Sequence, residues 1–242
     1  MTETANSVKA AGREQILGKI RRARENRARQ GDGGEASVAD VETRLREHPA
    51  NLVPKRGQID QAQRLDLFQA EAEKVDTTVV RVSGPDDVPG EVARYLKAAN
   101  LGTRIRVARS LSGYDWADTL LDVETGAAAA ADAVSVTKAF AGVAETGTVI
   151  SCSGPENPTT LNFLPLTNIV VVDRSDVAGT YEEAWRLLRA SGPDEGAFMP
   201  RTVNFITGPS RSADIEQTLL LGAHGPQRLH IIVVEDEKPQ TQ

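Results

Sequence analysis

One cysteine, Cys152, and three histidines, His48, His224 and His230, are all the thiolate and imidazole ligands that the 242 residues offer. A lone cysteine excludes a disulfide within the chain and falls short of the thiolates that a zinc or iron–sulfur cage takes. The histidines show neither HxxxH nor HxH spacing, so no metal site is expected. The stretch VISCSG reads as the end of a buried strand, where a free thiol behaves as a small hydrophobe. No run approaches the roughly 20 apolar residues of a bilayer-spanning helix. The opening MTETANSVKAAGREQ has no apolar core of a secretory signal, so a cytoplasmic location is expected. A net charge of -6 offers no general attraction to nucleic acid or an anionic membrane. The GKS/T of a P-loop and the GxGxxG of a dinucleotide fold are missing, which leaves both cofactor classes without support.

What is present is an ordinary globular composition, 40% hydrophobic and 26% charged. Residues 1–30 are distinct, with eight Lys/Arg against three Glu. A short stripe of Ile16, Leu17 and Ile20 suggests a solvated helix docked by a few apolar side chains; a basic arm for a partner protein is the sharper alternative. The glycine-rich QGDGGEAS (30–37) reads as a flexible joint, and VADVETRLREH as a second amphipathic piece that His48-Pro49 stops. The expected division is an N-terminal helical arm and joint over 1–57, an α/β domain over 58–236 and a polar tail over 237–242.

From Asp60 the pattern is regular. DQAQRLDLFQAEAEKV spaces Leu65, Phe68, Ala72 and Val75 for a one-faced helix. TTVVRV predicts a strand, VPGEVARYLKAAN a helix, RIRVA a strand. VSVTKAFAGVAETGTVISCS reads as strand, connector and strand. NIVVVD is a near-continuous apolar run, as a strand buried on both faces requires. Thr180 and Glu183 have capping-box spacing at the head of TYEEAWRLLRA. The spacing of TVNFIT, SADIEQTLLLG and LHIIVVED predicts a closing strand–helix–strand unit. Together these predict an α/β fold with a doubly wound, mostly parallel sheet, whose ligands belong beyond the carboxyl ends of the strands.

Two polar loops stand out. Thr207-Gly208-Pro209-Ser210-Arg211-Ser212 leads into the expected helix. Unpaired N–H groups at a helix start suit a phosphate or carboxylate. Capping by Ser212, with Asp214 and Glu216 complementing the helix dipole, explains the same residues without a ligand. In AETGTV, Glu145 stands beside Thr146, Gly147 and Thr148, as a base, nucleophile or ligand group, or as an exposed glutamate in a β-turn. His224, ahead of Gly225-Pro226, fits a helix C-terminus.

The stretches GVAETGTVI, TLNFLPLTNIVVV, PRTVNFITGPSRSADIEQTLLLGAHGPQRLHIIVVED and REQILGKIRRA together resemble the LutC/YkgG family, the lactate utilisation protein C group with the LUD domain. The resemblance covers most of the chain, best from about Val134 to Asp236. QGDGGEAS and the tail EDEKPQTQ fall outside it. The resemblance implies a fold like the ribose-phosphate isomerase and CoA-transferase group. It also implies a role in oxidising L-lactate to pyruvate beside two iron–sulfur subunits, with no cluster in this chain. The site residues it implies are Glu145, Thr146, Gly147 and Thr148, with Thr207 to Ser212, Asp214 and His224, and more weakly Arg201 and Asn162. They would line a cleft for a small anion, with Glu145 and His224 as candidate catalytic groups. Family motifs leave open whether such proteins catalyse alone. An enzyme acting on a sugar phosphate or acyl-CoA through Glu145 is the alternative.

Overall fold

A computed structural model of the chain describes residues 14, 17–23, 38–50, 52–192, 199–215 and 218–235. The chain divides into two compact units, 1–49 and 50–242. In the first, residues 17–23 and Val38–Glu47 are helical. The joint over 30–37 and the tail over 237–242 lie outside the described residues. No helix among those described is long and apolar enough to cross a membrane.

The second unit is built on a six-stranded parallel sheet. Its strands are β1 (Thr78–Val82), β2 (Arg104–Val107), β3 (Asp122–Thr125), β4 (Val134–Lys138), β7 (Thr167–Asp173) and β12 (Arg228–Val234), in the order β1-β12-β7-β4-β2-β3. Every residue of β7 is buried, because β4 and β12 flank it and both its faces are covered. Alternation along the strands sorts the two cores. Val170, Val172, Ile231 and Val233 meet helix α1 (Gln61–Glu73) through Leu65, Phe68 and Ala72 on one face. Ile169, Val171, Ile232 and Val136 pack under helix α2 (Val88–Ala98) through Val88, Val92 and Leu96 on the other. Helices on both faces of a parallel sheet make the fold doubly wound, as expected.

A second sheet takes the order β8-β5-β6-β9, from β5 (Ala141–Val143), β6 (Thr148–Cys152), β8 (Val177–Ala178) and β9 (Val203–Ile206). Its β5–β6 and β6–β9 pairs are antiparallel. A one-turn helix, α3 (Thr160–Phe163), lies against β4 and β7. Helix α4 (Tyr181–Ala190) packs on the second sheet through Ala184. The connector expected between β4 and β6 therefore contains a strand of its own, β5.

One segment departs from the expected pattern. SADIEQTLLLG is no helix but an antiparallel hairpin of β10 (Arg211–Ile215) and β11 (Thr218–Leu221), with Arg211 opposite Leu221 and Ile215 opposite Thr218. The strand–helix–strand unit is corrected with it, since β9 pairs antiparallel with β6 in the second sheet and β12 runs in the first. Four-residue spacing of Ile215 and Leu219 suits a helix, but only two residues separate the paired Ile215 and Thr218, the length of a tight hairpin connection. Gly222, at φ +81, fits a helix exit and a hairpin exit equally. The base decides between them: Ser210 N donates to Pro226 O at 2.8 Å and Gly222 N donates to Ser210 O at 3.0 Å, extending the ladder. Ser212 therefore caps no helix, and the helix start whose unpaired N–H groups would have favoured an anion is absent from this corner.

Candidate functional site

The ETGT stretch is the turn between β5 and β6. Gly147 sits there at φ +62, with the backbone of Ala72 in α1 so close that an added Cβ would stand 2.1 Å from its nitrogen. The turn is thereby pressed onto α1. Glu145 is not the exposed turn glutamate that its flanks allow: it is 3% exposed, and its Oε1 accepts from Tyr181 N, at the first turn of α4, at 2.9 Å. Its Oε2 is buried without a hydrogen-bond partner. A carboxylate committed to a helix N-terminus anchors that helix.

The two loops chosen from the sequence do meet. Thr148 Oγ1 lies 2.7 Å from Thr207 Oγ1 and 2.7 Å from Thr146 Oγ1, and the Tyr181 hydroxyl lies within 2.9 Å of both Thr146 and Thr148. Four hydroxyls thus join β6, the end of β9 and the head of α4. The rest of the 207–212 corner is committed to structure. Gly208, at φ +75, lies against Val75, and Pro209 is buried. Ser210 is held by the hairpin base described above, and Ser212 is half-buried on β10. Arg211 pairs with Asp76 and also donates to Val75 O at 3.0 Å, so its charge is answered within the chain. Asp214 lies on β10. His224 and Arg201 are exposed.

Asn162 belongs elsewhere, at the other end of β6. The chain leaves β2 outward to β3 and leaves β4 in the opposite direction to β7, which makes the β2/β4 boundary the switch point of the main sheet. Ligands of such sheets bind outside the carboxyl ends at that point. There, Lys138 ends β4 and pairs with Asp173, which ends β7. The loop after β6 crosses the same place: Ser110 N donates to Glu156 O at 3.2 Å, and Asn157 Nδ2 to Lys138 O at 3.1 Å. Asn157 and Asn162 both donate to Ser151. Sequence reasoning passed over Lys138, Asp173, Ser151 and Asn157. The available signal was a charged residue closing each of two apolar strands, VSVTK and NIVVVD.

Cys152, beside Ser151, has its thiol pushed up to about 11 by burial. Among the described residues no group of three or more His, Cys, Asp and Glu is placed to hold a metal.

The family model described as the LUD domain matches residues 65–234. The chain belongs to the LUD-domain family. That bears out the resemblance carried by the ETGT and TGPS motifs. The stretch matched runs from α1 to the end of β12, so it takes in both sheets and both polar groups described above. Among curated relatives, the chain is 42% identical over 109 residues to Lactate utilization protein C of Geobacillus thermodenitrificans, covering 44% of this chain and 45% of the relative. It is 29% identical over 175 residues to the protein of that name from Exiguobacterium, covering 71% and 72%. The chain thus spans less than half the length of the first of these relatives. Among solved structures, a DUF162 family protein from Deinococcus radiodurans superposes with a TM-score of 0.54 at 24% identity, over 73% of this chain and 99% of that one. At that identity the likeness speaks for the LUD-type α/β fold.

Proposed function

We propose that this chain serves lactate utilisation as a substrate-handling subunit, acting with iron–sulfur partner proteins in the oxidation of L-lactate to pyruvate. The observation that carries the reading is its family membership together with relatives named Lactate utilization protein C. Oxidation of a hydroxy acid to a keto acid releases two electrons. One cysteine in 242 residues cannot furnish a cluster to receive them, so the clusters belong on the partners. The substrate is a small carboxylate. The place best equipped for it is the switch point, where Lys138 keeps further N–H donors beyond the one facing Asp173. The 207–212 corner also holds an ion-paired cation, Arg211 with Asp76, but on a more exposed pair, where water weakens the attraction for an anion. The buried, anchored Glu145 weighs against a self-sufficient enzyme of sugar phosphates or acyl-CoA.

Deleting the gene tests the role directly. Growth on L-lactate as sole carbon source should be lost and restored by the gene in trans, and the tagged chain should co-purify with Cys-rich iron–sulfur proteins. Undiminished growth on L-lactate would sink the reading.

A further inference from the structure

Beneath the loop that crosses the switch point lies a polar seam that the fold does not complete. Ser151 Oγ, on buried β6, accepts from Asn157 Nδ2 at 3.0 Å and from Asn162 Nδ2 at 2.8 Å. The other end of each amide, Oδ1, is buried and has no hydrogen-bond partner. Asn162 is only 2% exposed. The Ser151 hydroxyl, with two amides donating to its oxygen, retains its own proton to give. The one-turn helix that carries Asn162 continues the seam inward. Its Leu161 carbonyl accepts from Ser135 Oγ at 2.6 Å. Ser135 is the register partner of Asn168. Asn168, fully buried, accepts from Thr137 Oγ1 at 3.1 Å, while its Nδ2 has no partner. Buried amide ends without partners cost about 1–3 kcal/mol each. Several in one seam leave hydrogen-bonding capacity for an occupant, be it ordered water or a ligand.

The side chains fix the chemistry of that occupant. Ser, Asn and Thr are all neutral, so a phosphate or carboxylate drawn fully inside would lack a countercharge. A hydroxyl both donates and accepts. It therefore satisfies an amide end in either orientation, as well as the proton of Ser151. Asn157 is half-buried at the rim and touches the end of β4, so the seam reaches outward at the switch point.

We propose that Ser151, Asn157 and Asn162 form a subsite for the hydroxyl group of a small hydroxy acid, whose carboxylate stays at the rim beside the end of β4. The choice of a hydroxy acid rests on the lactate reading above; the preference for a hydroxyl rests on the seam itself.

The test is titration calorimetry and thermal shift on the full chain with L-lactate and with propionate, which is the same carboxylate without the hydroxyl. L-Lactate should bind at least ~10-fold more tightly, since a site built to bond a hydroxyl rejects the analogue lacking it. In Asn162→Leu that ratio should fall close to one while propionate binding is kept. If Asn162→Leu does not fold, Asn157→Leu at the rim and Ser151→Ala provide the same reading. Equal binding of the two acids by the wild-type chain overturns the subsite. So does an unchanged ratio in folded variants. Binding of neither acid also overturns it, and leaves the seam to ordered water. The two proposals fail separately. Equal binding with growth on L-lactate still dependent on the gene removes the subsite alone. Intact discrimination with a dispensable gene removes the lactate role alone.

Discussion

His230, on β12, stacks on Tyr95 of α2 with ring centroids 4.0 Å apart and planes 10° from parallel. Its Nδ1 meets Thr78 Oγ1 at 2.8 Å, while Nε2 stands 3.4 Å from Glu91, which Arg94 already holds at 2.6 Å. Burial outweighs the Glu91 charge and pulls the imidazole down to about 4 from 6.5. The unfolded chain therefore takes up a proton near pH 6.5, whereas the folded chain resists until about pH 4. Stability contributed by neutral His230 is full above 6.5 and declines as the pH falls toward 4, by about 3 kcal/mol in all. Urea titrations at about pH 7.5, 5.5 and 4.5 should show this loss, and His230→Gln should flatten it. An acid slope that survives the substitution would assign the effect to other groups. Cys152 makes a parallel case. With its thiol near 11, it should react with a disulfide reagent at about pH 8 roughly 100-fold more slowly in the native chain than in urea. A native rate equal to the unfolded one would show the thiol to be accessible.

Among the elements, the β5–β6 turn has the least room for change. Gly147→Ala places a methyl group onto the backbone of Ala72 at a positive φ, and should lower stability by about 3 kcal/mol or more in chemical denaturation. A loss under about 1 kcal/mol would mean that α1 yields to the turn. The hydroxyls behind it join separate elements, so they should couple. A double-mutant cycle of Thr148→Val and Thr207→Val should give an interaction energy of about 1 kcal/mol, and simple additivity would show that the 2.7 Å contact contributes little. These elements also mark how far the sequence could be read. Periodicity suffices for α1, α2 and β7, because each turns one stripe or two faces to a core. It fails at Arg211–Leu221, where helical spacing and a two-residue hairpin share one pattern and only the bonds of Ser210 with Pro226 and Gly222 decide. It also passes over β3, β5 and β8: β5 and β8 have three and two residues, too few to show a period, and DVET of β3 carries a single apolar residue. The candidate site divides in the same way. The ETGT and TGPS motifs do converge, through Thr148 and Thr207. The Asn157–Ser151–Asn162 seam spans only twelve residues, but it depends on the loop after β6 folding α3 back onto that strand, and neither a helical nor a strand period encodes such a return.

For the whole molecule, the distribution of charge and the distribution of core run opposite ways. Each buried apolar cluster among the described residues draws its members from Leu65 onward, within the second unit. The basic residues crowd toward the start instead: eight of the 28 Lys/Arg fall within the first 30 residues. A segment so rich in charge of one sign is suited to an intermolecular task, because exposed charges act through the surrounding salt solution. The fragment 50–242 should therefore fold by itself, with a Tm within a few degrees of the full chain. It should also lose affinity for an acidic partner, such as a co-purified subunit. The affinity of the full chain should fall as salt rises from about 50 to about 300 mM, roughly the range over which the screening length shortens from above 10 Å to below 8 Å. A fragment that melts far below the full chain would place residues 1–49 within the cooperative unit. One that keeps the complex at every salt concentration would remove the basic arm from partner binding and leave that task to the α/β body.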